Sequence, residues 1–217
     1  MPVRKVSNRG GNIIGRFPSI KMGRMIAFES LLERDFIYLL DHDPAVDWFE
    51  EQPLRIEYLY DGKRLQYTPD FHVIKGDEQV LVECKPARFV ETEENRRKFA
   101  VGREWCEEQG WSFQLVTDQK IRRGFRLQNI KLLTQYARQP VDVAIRSQIH
   151  AFLCGLQKGV SVEDLANAIQ SMNSAVVMAN IFCLAYHHEI QLPLDDERIS
   201  SQSIVSRIAQ RKKEMVP

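Results

Sequence analysis

The stretch from Tyr67 to Pro86 constrains this chain most, because two runs of β-forming residues flank a Gly-Asp turn. The outgoing run is Tyr67-Thr68-Pro69-Asp70-Phe71-His72-Val73-Ile74, the turn is Lys75-Gly76-Asp77-Glu78, and the return is Gln79-Val80-Leu81-Val82-Glu83-Cys84-Lys85-Pro86. Val, Ile, Leu and Phe on either side of such a turn predict a hairpin. Side chains alternate along a strand, so Glu83 and Lys85 emerge on one face and Cys84 on the other. The antiparallel return brings Asp70 beside Glu83. Two carboxylates at that distance repel unless a cation lies between them, and a hard divalent ion with oxygen ligands, Mg²⁺, supplies the charge. Lys85, on the same face, can orient or activate a water against a phosphate and offset charge in the transition state. A plainer reading also fits the residues: Asp70 caps a turn, and Glu83 with Lys85 forms a surface ion pair of little energetic value.

Upstream, Phe28-Glu29-Ser30-Leu31-Leu32-Glu33-Arg34-Asp35-Phe36-Ile37-Tyr38-Leu39-Leu40 places apolar residues at 28, 32, 36, 39 and 40, the spacing of a helix with one buried face. Glu33 sits beside that stripe, where it is either a third carboxylate for a metal site or a solvated acid on the helix face. An alternating strand follows at Leu54-Arg55-Ile56-Glu57-Tyr58-Leu59-Tyr60, and a turn at Asp61-Gly62 leads into the Tyr67–Pro86 hairpin.

The Pro-Asp, then Glu-x-Lys, pattern resembles the nuclease core of many restriction-type endonucleases. Taken with Ser30-Leu31-Leu32-Glu33, Glu51-Gln52-Pro53, Thr68-Pro69-Asp70-Phe71 and Val82-Glu83-Cys84-Lys85-Pro86 in that order, the chain resembles TnsA, the endonuclease subunit of heteromeric cut-and-paste transposases, over roughly residues 12–217. The resemblance implies that Glu33, Asp70 and Glu83 are acidic metal-site residues and Lys85 a catalytic lysine. Some members carry Gln where this chain has Glu83; Glu is the better ligand for Mg²⁺. The backbone carbonyl of Cys84 is a further candidate metal ligand, and Mn²⁺ is expected to substitute for Mg²⁺. The implied function is Mg²⁺-dependent cutting of the non-transferred strand at transposon ends, beside a transposase subunit resembling TnsB and an ATP-dependent regulator resembling TnsC. Two alternatives are an autonomous restriction or repair endonuclease and a catalytically silent scaffold.

Beyond Pro86, Thr92-Glu93-Glu94 is a helix start and Gly110 a helix stop, followed by an alternating strand at Trp111-Ser112-Phe113-Gln114-Leu115-Val116-Thr117. A helix between two strands favours a crossover, hence an α/β core with a restriction-endonuclease-like mixed sheet flanked by helices. Glu91, Glu93 and Glu94 read as a dipole-matched helix start. Arg96, Arg97, Lys98, Lys120, Arg122, Arg123 and Arg126 are candidate phosphate contacts or a solvated face.

A length of 217 residues accommodates one full core and a small second domain. No apolar run is long enough to span a membrane, and the N-terminus lacks signal-peptide features, so a cytoplasmic, DNA-associated bacterial protein is expected. Cysteines at 84, 106, 154 and 183 show no CxxC pairing, which predicts free thiols. Residues 1–25 form a basic arm with Arg4, Lys5, Arg9, Arg16, Lys21 and Arg24 and no acid, read either as a DNA clamp or as a tail without a partner. Within it, Ile13, Ile14, Phe17 and Ile20 point to packing of its second half.

The nuclease domain is expected over 26–140 and a second, mainly α domain over 141–217. Helices at Val141–Leu156, from Val162 behind a Ser161 cap, and through Tyr186, followed by a short wing near Glu189–Leu194, describe a winged-helix-like domain. Its candidate recognition helix, Ala175–Leu184, has no Arg or Lys. Donors for guanine and phosphate are therefore missing, which favours a protein-docking role over DNA reading. The resemblance likewise assigns this region to the TnsC-like regulator. The basic tail Arg211-Lys212-Lys213 suits either partner.

Overall fold

The computed structural model describes residues 13–169 and 172–208. The chain divides into two compact units, residues 1–123 and 124–217. The first contains β1 (Gly15–Pro18), β2 (Met25–Phe28), α1 (Leu31–His42), β3 (Trp48–Glu51), β4 (Ile56–Tyr60), β5 (Lys63–Tyr67), β6 (Phe71–Lys75), β7 (Glu78–Lys85), α2 (Glu93–Gln109), β8 (Ser112–Thr117) and the short α3 (Asp118–Ile121).

Four strands make a mixed sheet in the order β3-β6-β7-β8. The expected hairpin is its centre: β6 and β7 pair antiparallel from Phe71↔Val82 to Lys75↔Glu78, with Gly76 at φ +56° in the turn. Strand β8 then pairs parallel to β7, from Val80↔Ser112 to Lys85↔Thr117. That direction requires a crossover, which α2 provides. With strands on both sides, β7 buries the continuous run Val80–Cys84, as expected for a strand covered on both faces. Phe49, Phe71, Leu81, Phe99, Ile26 and Ile37 are among the large, fully buried side chains of this core.

Tyr67 does not belong to the central hairpin. It ends β5, which pairs with β4 from Ile56↔Tyr67 to Tyr60↔Lys63 around Asp61 and Gly62, both at positive φ. This is the backbone demanded by a tight two-residue hairpin turn. Pro69 lacks an N–H, so the run breaks there and resumes at Phe71.

Helix α1 starts at Leu31, because Phe28 closes β2 and Ser30 caps the helix in extended backbone, its hydroxyl accepting from the Glu33 N–H at 3.1 Å. Helix α2 starts behind Thr92 and stops at Gly110 in left-handed backbone, as its caps predict. It packs on β8 and β4, and α1 packs on β7.

The second half of the expected arm is a hairpin held to the core. Strands β1 and β2 pair from Gly15↔Phe28 to Pro18↔Met25, and Phe17 lies edge-on to Tyr38 at 4.7 Å. Asp41 accepts from the Ser19 hydroxyl and from the Ile20 and Lys21 N–H groups. Ile13 and Ile14 are exposed, whereas Phe17 is buried. Arg4, Lys5 and Arg9 lie outside the described residues, as does Arg211-Lys212-Lys213.

The second unit contains α4 (Arg126–Thr134), α5 (Val143–Cys154), β9 (Val160–Ser161), α6 (Val162–Ala168), α7 (Ser174–Tyr186), β10 (Ile190–Gln191) and β11 (Ile204–Arg207). Its strands form a small antiparallel sheet in the order β10-β11-β9. Ile145, Ile149, Leu165, Val177, Ile181 and Leu184 fill its core. The division precedes the expected Gln139-Pro140 boundary because α4 packs with α7. The Asn129 amide donates to the Leu194 and Glu197 carbonyls at 2.9 and 2.7 Å and accepts from the Ile199 N–H at 2.9 Å. The four cysteines are free, three of them buried. No helix among the described residues is long and apolar enough to cross a membrane.

Candidate active site

The break at Pro69 leaves Asp70 just ahead of β6, next to the end of β7. Its carbonyl accepts from the Gln52 N–H at 2.8 Å, and its Oδ2 accepts from the Cys84 N–H at 2.7 Å. Glu83 and Lys85, two residues apart on β7, share a face as alternation requires, with Lys85 Nζ 2.9 Å from Glu83 Oε1. The other oxygen, Oε2, accepts from the Tyr67 hydroxyl at 2.9 Å. Glu83 is only 3% exposed, so both of its oxygens are engaged inside the protein.

These groups line a polar cleft of about 310 Å³. Its acids are Asp70 and Glu83; its cations are Lys85, Arg55 from the segment before β4, and Lys98 from α2; Tyr67, Thr68 and Gln66 complete it.

The electrostatics follow from burial. The Asp70 carboxyl is pushed well above the ordinary carboxylate range by desolvation, then by the charges of Glu83 and Glu33, with Lys85 and the Cys84 N–H opposing. The Cys84 thiol is raised by burial and by the same acids, so it stays neutral. For Lys85, burial opposes the charge, but the Glu83 and Asp70 carboxylates outweigh it and the ammonium is raised above its usual range. The Tyr67 phenol is raised by burial and by its acidic neighbours, and it keeps its proton.

Glu33 is close enough to feel Glu83, yet its carboxylate closes the start of its own helix. Oε2 accepts from the Glu29 N–H at 2.7 Å and Oε1 from the Ser30 hydroxyl at 2.8 Å, a variant of the capping box. Burial raises this carboxyl as well. The fold thus gathers Asp70, Glu83 and Lys85 around one cleft, holds Glu33 at the helix start, and gives Cys84 a backbone N–H role. Among the described residues, no group of three or more His, Cys, Asp or Glu is gathered to hold a metal ion. Magnesium is commonly bound by one or two carboxylates with water and substrate phosphate completing its shell. A desolvated Asp70 beside Glu83 fits that donor set, since a divalent cation relieves their repulsion.

Most of the other basic candidates have partners within the chain. Arg122 meets Asp35 at 2.9 Å, Arg126 meets Asp195 at 3.0 Å, and Arg97 lies 3.8 Å over the Tyr60 ring. Arg24 is paired with Glu51, and the Lys21 ammonium donates to the Asp43 and Val46 carbonyls. Glu93 accepts from Tyr60, and Glu94 pairs with Lys98. The sequence did not mark Tyr67 or Arg55 as site residues.

A mixed sheet whose central strand ends in a carboxylate and a lysine, beside an aspartate just ahead of the neighbouring strand, is the arrangement expected of a nuclease core. Residues 43–118, from the end of α1 to the start of α3, match the family model described as TnsA-like endonuclease N terminal. That stretch of the chain is a TnsA-like endonuclease domain. No curated protein matches the chain.

Proposed function

We propose that the chain is the DNA endonuclease subunit of a heteromeric transposase, cutting the non-transferred strand at transposon ends so that the element is excised. The observation that carries this is the Asp70, Glu83 and Lys85 cluster in a polar cleft at the end of β7. Asp70 and Glu83 would hold the metal, with Glu33 completing the acidic site directly or through water and the Cys84 carbonyl as a further ligand. When bound, Mg²⁺ supplies charge neutralisation at the phosphodiester and a more acidic water. Lys85, 2.9 Å from Glu83 Oε1, would hold the nucleophilic water and offset charge in the transition state.

For the second unit we propose a winged-helix-like docking module that meets an ATP-dependent regulator resembling TnsC, while a subunit resembling TnsB handles the other strand. Support comes from the order α5-β9-α6-α7-β10-β11 and from α7, which carries no Lys or Arg and buries most of its length. A cytoplasmic, DNA-associated location belongs to the same reading. The test is strand-resolved mapping of breaks on end-bearing DNA with Mg²⁺ and the cognate transposase and regulator. Breaks on the non-transferred strand that vanish with Asp70→Ala are expected; identical products from both proteins would leave a scaffold.

A further inference from the structure

Glu83 is held by a residue from outside the central sheet. Tyr67 ends β5, in the separate β4-β5 hairpin, and its ring is 3% exposed within a cluster of Ile56, Leu81 and Cys106. The ring has little room to move. A Cβ built on Gly102 of α2 would come within 3.1 Å of Tyr67 Cε1 and 2.6 Å of Phe113 Cε2, so α2 approaches these rings as closely as a hydrogen side chain allows. From that seat the hydroxyl reaches Glu83 Oε2 at 2.9 Å, while Oε1 remains toward Lys85 and the cleft. A buried phenol requires a partner, and here the partner is one of the two acids of the site.

Resting on the metal-dependent reading above, we propose that Tyr67 is a positioning residue: its hydroxyl fixes the Glu83 carboxylate in the orientation that serves the metal. The seat between β5 and α2 makes the bond a fixed strut rather than one of several rotamers. Partners that orient a ligand typically contribute 10–100-fold in metal affinity. Removing the hydroxyl while keeping the ring therefore weakens metal binding and leaves the fold in place.

The experiment uses Mn²⁺ alone as probe, with binding to the full chain followed by electron paramagnetic resonance. The proteins are the native chain, Tyr67→Phe, Gly102→Ala, Asp70→Ala, Glu83→Gln and the Tyr67→Phe/Glu83→Gln double variant. Tyr67→Phe is expected to lose roughly tenfold in Mn²⁺ affinity. Its effect is expected to disappear in the Glu83→Gln background, since the hydroxyl acts through that carboxylate. Gly102→Ala, whose added Cβ crowds Phe113 and the Tyr67 ring without touching a polar group, is expected to weaken Mn²⁺ binding in the same direction if Tyr67→Phe folds poorly, and native affinity there counts against the strut. Native affinity in Tyr67→Phe, or an equal loss in the Glu83→Gln background, overturns the proposal. If the native chain and Asp70→Ala bind Mn²⁺ alike, the metal-site reading itself fails and the positioning role falls with it, a result distinct from a failure confined to Tyr67.

Discussion

Gly102→Ala is a sharp probe of how α2 seats on the sheet. The added Cβ would stand 2.6 Å from Phe113 Cε2, 3.0 Å from Cδ2 and 3.1 Å from Tyr67 Cε1. Carbon atoms pack best about 3.5–4.0 Å apart, so the nearest contact lies about an ångström inside the favourable range. Neither ring is the loose end of a flexible chain: Tyr67 is buried, and Phe113 packs against Phe99 with ring centres 6.3 Å apart. Overpacking of this kind costs about 1–3 kcal/mol, and alanine gains about 1 kcal/mol over glycine inside a helix. The net expectation is a loss of about 1 kcal/mol, or roughly 4 °C in the midpoint of the first unit. Tryptophan fluorescence during urea unfolding reads that unit selectively, because Trp48, Trp105 and Trp111 all belong to it. Adding Phe113→Leu should recover part of the loss, as expected for substitutions that share a contact. A Gly102→Ala protein that gains about 1 kcal/mol would mean that helix propensity acts unopposed, and the close approach of α2 would be refuted.

Asp70 should make the metal-free protein lose stability as pH rises. A carboxyl raised in the folded state stabilises fully below its unfolded value near 4, and that contribution is lost as pH climbs through the higher folded value. Asp70→Asn should flatten the denaturation profile measured in EDTA from about pH 4 upward; profiles that stay parallel would contradict the burial argument. Ser30→Ala removes the cap of α1 and one partner of Glu33, and about 1 kcal/mol of lost stability is expected in urea titrations. Asn129→Ala leaves the Leu194 and Glu197 carbonyls and the Ile199 N–H without their partner. A cost of about 2–3 kcal/mol is expected, read as faster amide exchange across the second unit with the first unchanged.

The chain's own order of residues was enough to announce the β6-β7 hairpin, the Glu83 and Lys85 face, the caps of α2 and the crossover to β8. Each depends on preferences that act over a few residues: strand alternation, a glycine at positive φ, a threonine hydroxyl at a helix start. The same locality explains why Asp70 could be placed beside Glu83, since a two-residue turn sets the register between their strands. Packing decided the rest. Tyr67 looks like the first residue of a strand in the sequence, yet Pro69 and the pairing with Ile56 place it in another hairpin, from which it reaches Glu83 sixteen residues on. Glu33 matches an acidic site position, but its carboxylate meets the Glu29 N–H and the Ser30 hydroxyl before it meets another acid. Lys21 and Arg24 read as free arm charges until Asp43, Val46 and Glu51 are brought beside them. Helix α4 resembles the close of the first domain and belongs to the second, because Asn129 finds its partners around residues 194–199. Local backbone preferences are written in neighbouring residues; the partner of a buried polar group is chosen by the whole chain once water has been excluded.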